Sequence, residues 1–159
     1  DGAAALTLRA CARTAGVSHA APQHHFPTAA DLLAEIAATG YEDFHQALDN
    51  GAAKEEAAVA KLQAMGRSYV TFAKAHPAVY KLMFGAETPP KSERLQRAMS
   101  AAWNQLTSAV TAAYGSDDAQ LRAVSTWSLV HGFAMLAINH RLPPTLDQAR
   151  ALEVLTNRL

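Results

Sequence analysis

Apolar residues recur along this chain at intervals of three and four, the period of helices packed on one face, and Gly, Pro and Ser, Thr or Asp mark the breaks between them. Thr7 is placed to cap a helix from Leu8 to Ala15, on which Leu8, Cys11, Ala12 and Ala15 share one side. Gly16 then meets the need for a left-handed residue at the helix end, and Val17 can plug the angle to a following helix. Ser18 can cap that second helix, which would turn His19, Ala20, Ala21, Gln23, His24 and His25 outward before Phe26 anchors it. A helix, a tight turn and a helix with small and hydrogen-bonding outer residues suit the major groove of DNA.

Thr28 and Asp31 form a capping box for a long helix with Leu33, Ile36, Gly40, Phe44 and Leu48 in one stripe. Gly40 costs roughly 1 kcal/mol against Ala inside a helix, which calls for a close backbone neighbour or a bend. Asp49 to Lys54, containing Asn50-Gly51, reads as a stop and a loop. Glu55 to Ala75 is the next helix, striped by Val59, Leu62, Gly66, Tyr69 and Ala73 and widened by Met65 and Phe72. His76-Pro77 breaks it, and Pro77 opens a short helix with Val79, Tyr80, Leu82, Met83 and Phe84 ahead of Gly85 and a loop from Ala86 to Pro90. Ser92 to Tyr114 carries Leu95, Met99, Trp103, Leu106 and Val110. After Gly115, Ser116 is expected to cap a helix over Leu121 to His140 that is apolar on nearly every side and so must be sandwiched. Pro143-Pro144 ends it, and Thr145 with Gln148 caps a last helix bearing Leu152, Leu155 and Leu159.

The expected fold is therefore all-α, with a helix-turn-helix DNA-binding domain over residues 1–30 followed by a helical-bundle ligand-binding and dimerisation domain over 31–159. Half of the 159 residues are hydrophobic, ample for a core. Charges balance to a formal net charge of zero, so any nucleic-acid surface must be local, and Arg9 and Arg13 provide one. The single cysteine, Cys11, excludes an intrachain disulfide framework, fits a reducing cytoplasm and reads best as a small core hydrophobe. No signal peptide is visible, and the most apolar stretch, Trp127 to Ile138, is too short to span a bilayer, so the expected localisation is cytoplasmic with no membrane partner. The chain opens on Asp1-Gly2-Ala3 without an initiator Met, and a leading helix under the helix-turn-helix is expected in the natural protein.

The run LTLRACARTAGVSHAAPQHHFPTAADLL resembles the DNA-binding motif of the TetR family of transcriptional regulators. Thr7, Ala15, Gly16, Val17, Ser18, His25, Phe26, Leu32 and Leu33 match its Thr-capped helix, Ala-Gly-Val-Ser turn, His-Phe end and Leu-rich continuation. Gln23 stands where the family usually has Tyr and Ala29 where it usually has Lys, both phosphate-contacting positions. The string HPAVYKLMFG and the trio Trp127, His131 and Gly132 resemble features of one TetR subgroup with a Trp-His-Gly type C-terminal regulatory domain.

The resemblance implies a sequence-specific regulator, a repressor released from a palindromic double-stranded DNA operator by a small apolar effector, with no cofactor. DNA contacts would come from Thr7, Arg9, Arg13, Ser18, His19, Ala20, Gln23, His24 and His25, against the plain alternative of a solvated helix face. Met65, Tyr69, Phe72, Met83, Phe84, Trp103, Trp127, His131 and Met135 would line an effector cavity, although aromatic and Met stripes also serve as ordinary core. His131 and Tyr69 would orient a polar end of the effector, and a core histidine satisfied by hydrogen bonds is the alternative for His131. The effector would wedge the body helices and tilt the helix from Asp31 to Leu48, changing the separation of two reading heads. Leu121, Val124, Leu152, Leu155 and Leu159 exceed what one body can bury, and a homodimer joined by two helices from each protomer resolves the surplus. Half-sites would then lie roughly 34–36 Å apart.

Two other readings compete. A helical small-molecule sensor or protein-interaction module that has lost DNA binding is kept open by Gln23 and Ala29. Catalysis is not expected, since neither HExxH, nor paired carboxylate and ExxH motifs, nor a phosphate loop, nor a Gly-x-Ser-x-Gly elbow is present, and no metal site can be assembled from the histidines.

Overall fold

The computed structural model describes residues 7–18, 20, 24–85 and 92–159. Among these the chain is all-α: α1 (Leu8–Ala15), α2 (Ala29–Ala52), α3 (Ala58–Ala75), α4 (Pro77–Phe84), α5 (Glu93–Tyr114), α6 (Ala119–Ile138) and α7 (Gln148–Thr156). They form two compact units, residues 1–41 with 78–99 and residues 42–77 with 100–159.

In the first unit, the locally encoded ends of the helices form as the sequence predicts. Thr7 Oγ1 accepts from Ala10 N at 3.2 Å, and Gly16 closes α1 at φ 69°, its N–H and that of Val17 taken up by the Arg13 and Ala12 carbonyls. At the head of α2 the Thr28 N–H donates to Asp31 Oδ2 (2.9 Å) and the Asp31 N–H donates to Thr28 Oγ1 (3.1 Å), a reciprocal capping box. Gly40 is explained by side chains rather than by a passing backbone. A Cβ there would lie 2.6 Å from Val79 Cγ1 and 2.9 Å from Met83 Sδ, so only hydrogen lets α4 seat on α2. Next to it Tyr41 Oη donates to the Met83 carbonyl at 3.1 Å and its ring meets Phe84 edge-on at 5.3 Å. Burial raises the Tyr41 phenol to about 12, which keeps it a donor. Arg94 closes this unit, reaching Glu35 Oε2 at 2.7 Å and Thr39 Oγ1 at 3.2 Å.

In the second unit α3 is the central helix. It buries Leu62, Met65, Tyr69, Val70, Phe72 and Ala73, and packs against α6 and α7. Gly66 is the closest point, where a Cβ would stand 2.7 Å from Leu159 Cδ1, 3.2 Å from Thr156 Cγ2 and 3.3 Å from Val130 Cγ1.

Several boundaries depart from the sequence reading. The first long helix does not stop at Leu48 but runs through Asn50-Gly51 to Ala52. The reason is tertiary: Gln105 Nε2 on α5 donates to the His45 carbonyl (3.1 Å) and to Asp49 Oδ1 (2.6 Å), and Gly51 lies over Ser68, where a Cβ would stand against the hydroxyl. The following helix begins at Ala58 rather than Glu55, with Ala57 as N-cap and no side-chain bond to it. Asp118, left-handed at φ 56°, precedes α6 in place of a Ser116 cap, and α6 ends at Ile138. Asp147 rather than Thr145 caps α7, its carboxylate accepting from Arg150 N at 3.0 Å.

The largest departure concerns α6, which is not sandwiched within the protomer. Its buried positions are the small ones, Ala123, Thr126, Val130, Ala134 and Ala137, while Leu121, Val124, Trp127, Leu129 and Leu136 are exposed. Small residues let α6 approach α3 closely and leave the large apolar side chains outward. At 20 residues and mean hydropathy 1.3, α6 is also long and apolar enough to cross a membrane by length and composition, because it begins at Ala119 and not at Trp127.

Candidate functional site

The expected DNA-reading residues divide by what is described. Arg9 and Arg13, four residues apart on α1, are exposed on one side of the helix, and Thr7, Ser18, Ala20, His24 and His25 are also exposed. His25 leans on Phe26 with ring centroids 6.3 Å apart. His19 and Gln23 lie outside the described residues, as does most of the helix expected after Ser18. Ala12, on an adjoining side of α1, is buried, so α1 has one inward and one outward side.

The residues expected to line an effector cavity fall into two groups. Met83 and Phe84 belong to the first unit and Met65, Tyr69, Phe72, Trp103, Trp127, His131 and Met135 to the second. In the second unit, α3, α5 and α6 bring an aromatic cluster together around the Tyr69 hydroxyl. Trp127 Nε1 donates to Tyr69 Oη at 3.1 Å, and Tyr69 Oη stands 2.9 Å from His131 Nδ1. Trp103 meets Trp127 at 6.4 Å between ring centroids, and Trp127 meets His131 at 5.8 Å.

Because an indole N–H can only donate, Tyr69 Oη accepts from Trp127, and the same oxygen shares a hydrogen bond with His131 Nδ1. Desolvation lowers the His131 pKa below its ordinary value of 6.5, in keeping with a neutral ring. Chemically the cluster is a set of rings meeting edge to face, Trp103 on Trp127 at 67° and Trp127 on His131 at 69°, with their polar atoms gathered at the Tyr69 hydroxyl.

Phe44 joins this neighbourhood although the sequence reading gave it no site role, and Gln105 binds α2 just beyond it. Phe44 stands edge-on to both Tyr69 (5.0 Å) and Phe72 (5.4 Å). Gln105 Oε1 is buried and without a hydrogen-bond partner among the described residues, while its Nε2 donates twice. The apolar stripe of α2 contained Phe44, but nothing in sequence spacing separates a stripe residue that meets another helix's aromatic from one that fills space. Among the described residues no group of three His, Cys, Asp or Glu side chains is placed to hold a metal.

The expected dimerisation residues are also divided. Leu121 and Val124 are exposed at 69% and 48%, Leu152 and Leu155 are half-buried, and Leu159 is buried against Gly66 within the protomer. Leu129, Leu146, Val154 and Leu155 line a groove of about 450 Å³ between α6 and α7.

With this architecture in view, the comparison with known proteins is decisive: residues 62–159, the greater part of the chain, match the family model of the tetracyclin repressor-like C-terminal domain. The chain belongs to the TetR family. The match takes in α3 from Leu62 onward and all of α4, α5, α6 and α7. A protein of unknown function from Rhodococcus sp. RHA1 superposes with TM-score 0.81 over 97% of this chain and 84% of its own, at 32% identity. A candidate regulatory protein, SCO4313, superposes with TM-score 0.79 over 98% of this chain and 85% of its own, and at 21% identity shares the fold. No curated protein matches the sequence. TetR-family regulators are soluble proteins, and α6, apolar as it is, belongs to the helical bundle of this one.

Proposed function

We propose that this TetR-family regulator reads a palindromic double-stranded DNA operator as a homodimer, represses from it, and is released by a small apolar effector. Residues 1–30 are the reading head in this account and residues 31–159 the regulatory domain. The observation that carries the proposal is the end of α1. Gly16 in the left-handed region returns two N–H groups to α1, and Val17, 48% exposed, is set at the corner where a second helix would begin. Arg9 and Arg13 on the outer side supply local positive charge to a chain whose overall charge is zero.

Effector binding is proposed at the Tyr69, Trp127 and His131 cluster, with the flat rings meeting an apolar body and His131 and Tyr69 orienting its polar end. The signal would reach the reading head through α2, which supplies residues to both compact units. Dimerisation is proposed through the outward face of α6 with α7. Leu121, Val124, Ser128, Gly132 and Leu136 follow one another at helical spacing on α6, and a Cβ at Gly132 would meet nothing within the protomer. Glycine there serves no packing need inside one chain, but would let a second α6 cross closely in a four-helix interface.

The test is the affinity of the full-length protein for genomic DNA as salt is raised. Affinity should fall steeply with salt, and Arg9→Ala with Arg13→Ala should reduce the logarithmic slope by about 2, one for each phosphate that an arginine no longer neutralises. A folded dimer with no salt-sensitive affinity would reject the DNA-reading half and favour the sensor without DNA binding.

A further inference from the structure

A second cleft lies in the same unit, on the side of α3 that carries Arg67, Ser68 and Phe72, where the last turn of α2 and the turn after it close over α3. Its volume is about 410 Å³, within the usual range for small-molecule sites. Three features give it a chemical character.

The first is charge. Lys54 and Arg67 both line it against a single carboxylate, Glu55, which Arg67 Nη2 contacts at 3.3 Å. Of these three charged side chains, two are positive and one negative, which leaves the lining net positive. The Arg67 fork, 42% exposed, retains donors for a planar anion beyond its one bond to Glu55. The second is an aromatic wall. The His76 ring rests on Phe72 with centroids 4.9 Å apart and planes inclined by 47°, at the end of α3, where the His76 N–H still donates to the Phe72 carbonyl at 2.9 Å. The third is shape. Gly51 lies so close over Ser68 that no side chain fits between them, which brings the α2 backbone down to form one lip of the cleft. Thr71 also lines the cleft, its hydroxyl turned back to the Arg67 carbonyl at 2.9 Å.

We infer that this cleft is a binding site for a small planar carboxylate, the carboxylate held by Arg67 and Lys54 and the ring lying along Phe72 and His76. The site is separate from the Tyr69, Trp127 and His131 cluster and does not depend on DNA binding. Its closest covalent neighbours, the turn at 53–57 and the end of α3, belong to no expected DNA, effector or dimer contact other than Phe72, which borders both places.

The experiment is calorimetric titration of the full-length protein with benzoate, and with benzamide as the neutral isostere, alongside ring-proton NMR of the histidines. Benzoate should bind saturably and shift the His76 ring signals, while benzamide and the Arg67→Gln variant should each bind about ten-fold more weakly. Lys54→Gln, on an exposed turn, should weaken binding without affecting folding, and serves if Arg67→Gln does not fold. Arg97→Gln, which removes an exposed arginine elsewhere, should bind benzoate as the parent does. Equal binding of benzoate and benzamide, no saturable binding, or full binding by both Arg67→Gln and Lys54→Gln would overturn the inference.

Discussion

Replacing Tyr69 by Phe removes one hydroxyl and with it both hydrogen bonds that connect Trp127 to His131. Trp127 is exposed enough for water to replace the lost partner, so the variant should lose about 1 kcal/mol of stability, read as a slightly lower melting temperature. His131 adds a pH dependence of definite sign. Its pKa is lowered in the folded protein, so the unfolded chain takes up the proton first as pH falls. The stability this residue contributes is complete above its ordinary value of 6.5 and is lost as pH drops from there through the lower folded value. His131→Gln should flatten that part of a melting curve series between neutral and mildly acid pH; an unchanged profile would show that some other group sets it. At Gly66 the decisive quantity is space. A Cβ 2.7 Å from Leu159 Cδ1, with Thr156 and Val130 behind it, outweighs the roughly 1 kcal/mol by which Ala favours a helix. Gly66→Ala should therefore lower the melting temperature, and a rise would mean that Leu159 moves aside freely.

At the scale of elements, what could be read in advance was what is encoded within a few residues. The Thr7 cap, the left-handed Gly16, the Thr28 and Asp31 box and Pro77 at the first position of α4 all depend on neighbours in sequence, and all formed where expected. What could not be read depends on distant partners. Asn50-Gly51 has a strong local tendency to stop a helix, yet Gln105, sixty positions from His45, holds α2 together past it. The same limit applies to the site: Trp127 and His131 are one helical turn apart and visible as a pair, whereas their meeting with Tyr69 from α3 is a product of packing. Thr7→Ala tests the local kind of information. It should cost about 1 kcal/mol of α1 stability and, in the proposed reading head, weaken DNA binding without altering effector binding. Loss of both together would mean that Thr7 supports more than its own helix.

At the scale of the whole molecule, α6 is the element on which the proposed homodimer rests. A face bearing Leu121, Val124, Leu129 and Leu136 is costly to leave in water, and the apolar groove beside Leu146 and Val154 extends it. Leu136→Glu should turn a dimer into a monomer by sedimentation equilibrium. Gly132→Ala separates two cases by sign: in an isolated protomer the added methyl meets nothing and the helix gains, whereas at a close α6 crossing the dimer weakens. The sequence supported a dimer from surplus apolar residues but assigned Leu159 to the interface, and could not show that the structure buries this residue beside Gly66.

The central claim is that this TetR-family dimer reads a symmetric DNA site, and the most direct measurement is selection of bound fragments from genomic DNA by the full-length protein at low and at moderate salt. A dimeric reader should recover a palindrome with half-site centres about one helical turn apart, and should fail to recover it when Arg9 and Arg13 are both replaced. Recovery of fragments with no shared symmetric sequence, at either salt concentration, would contradict it.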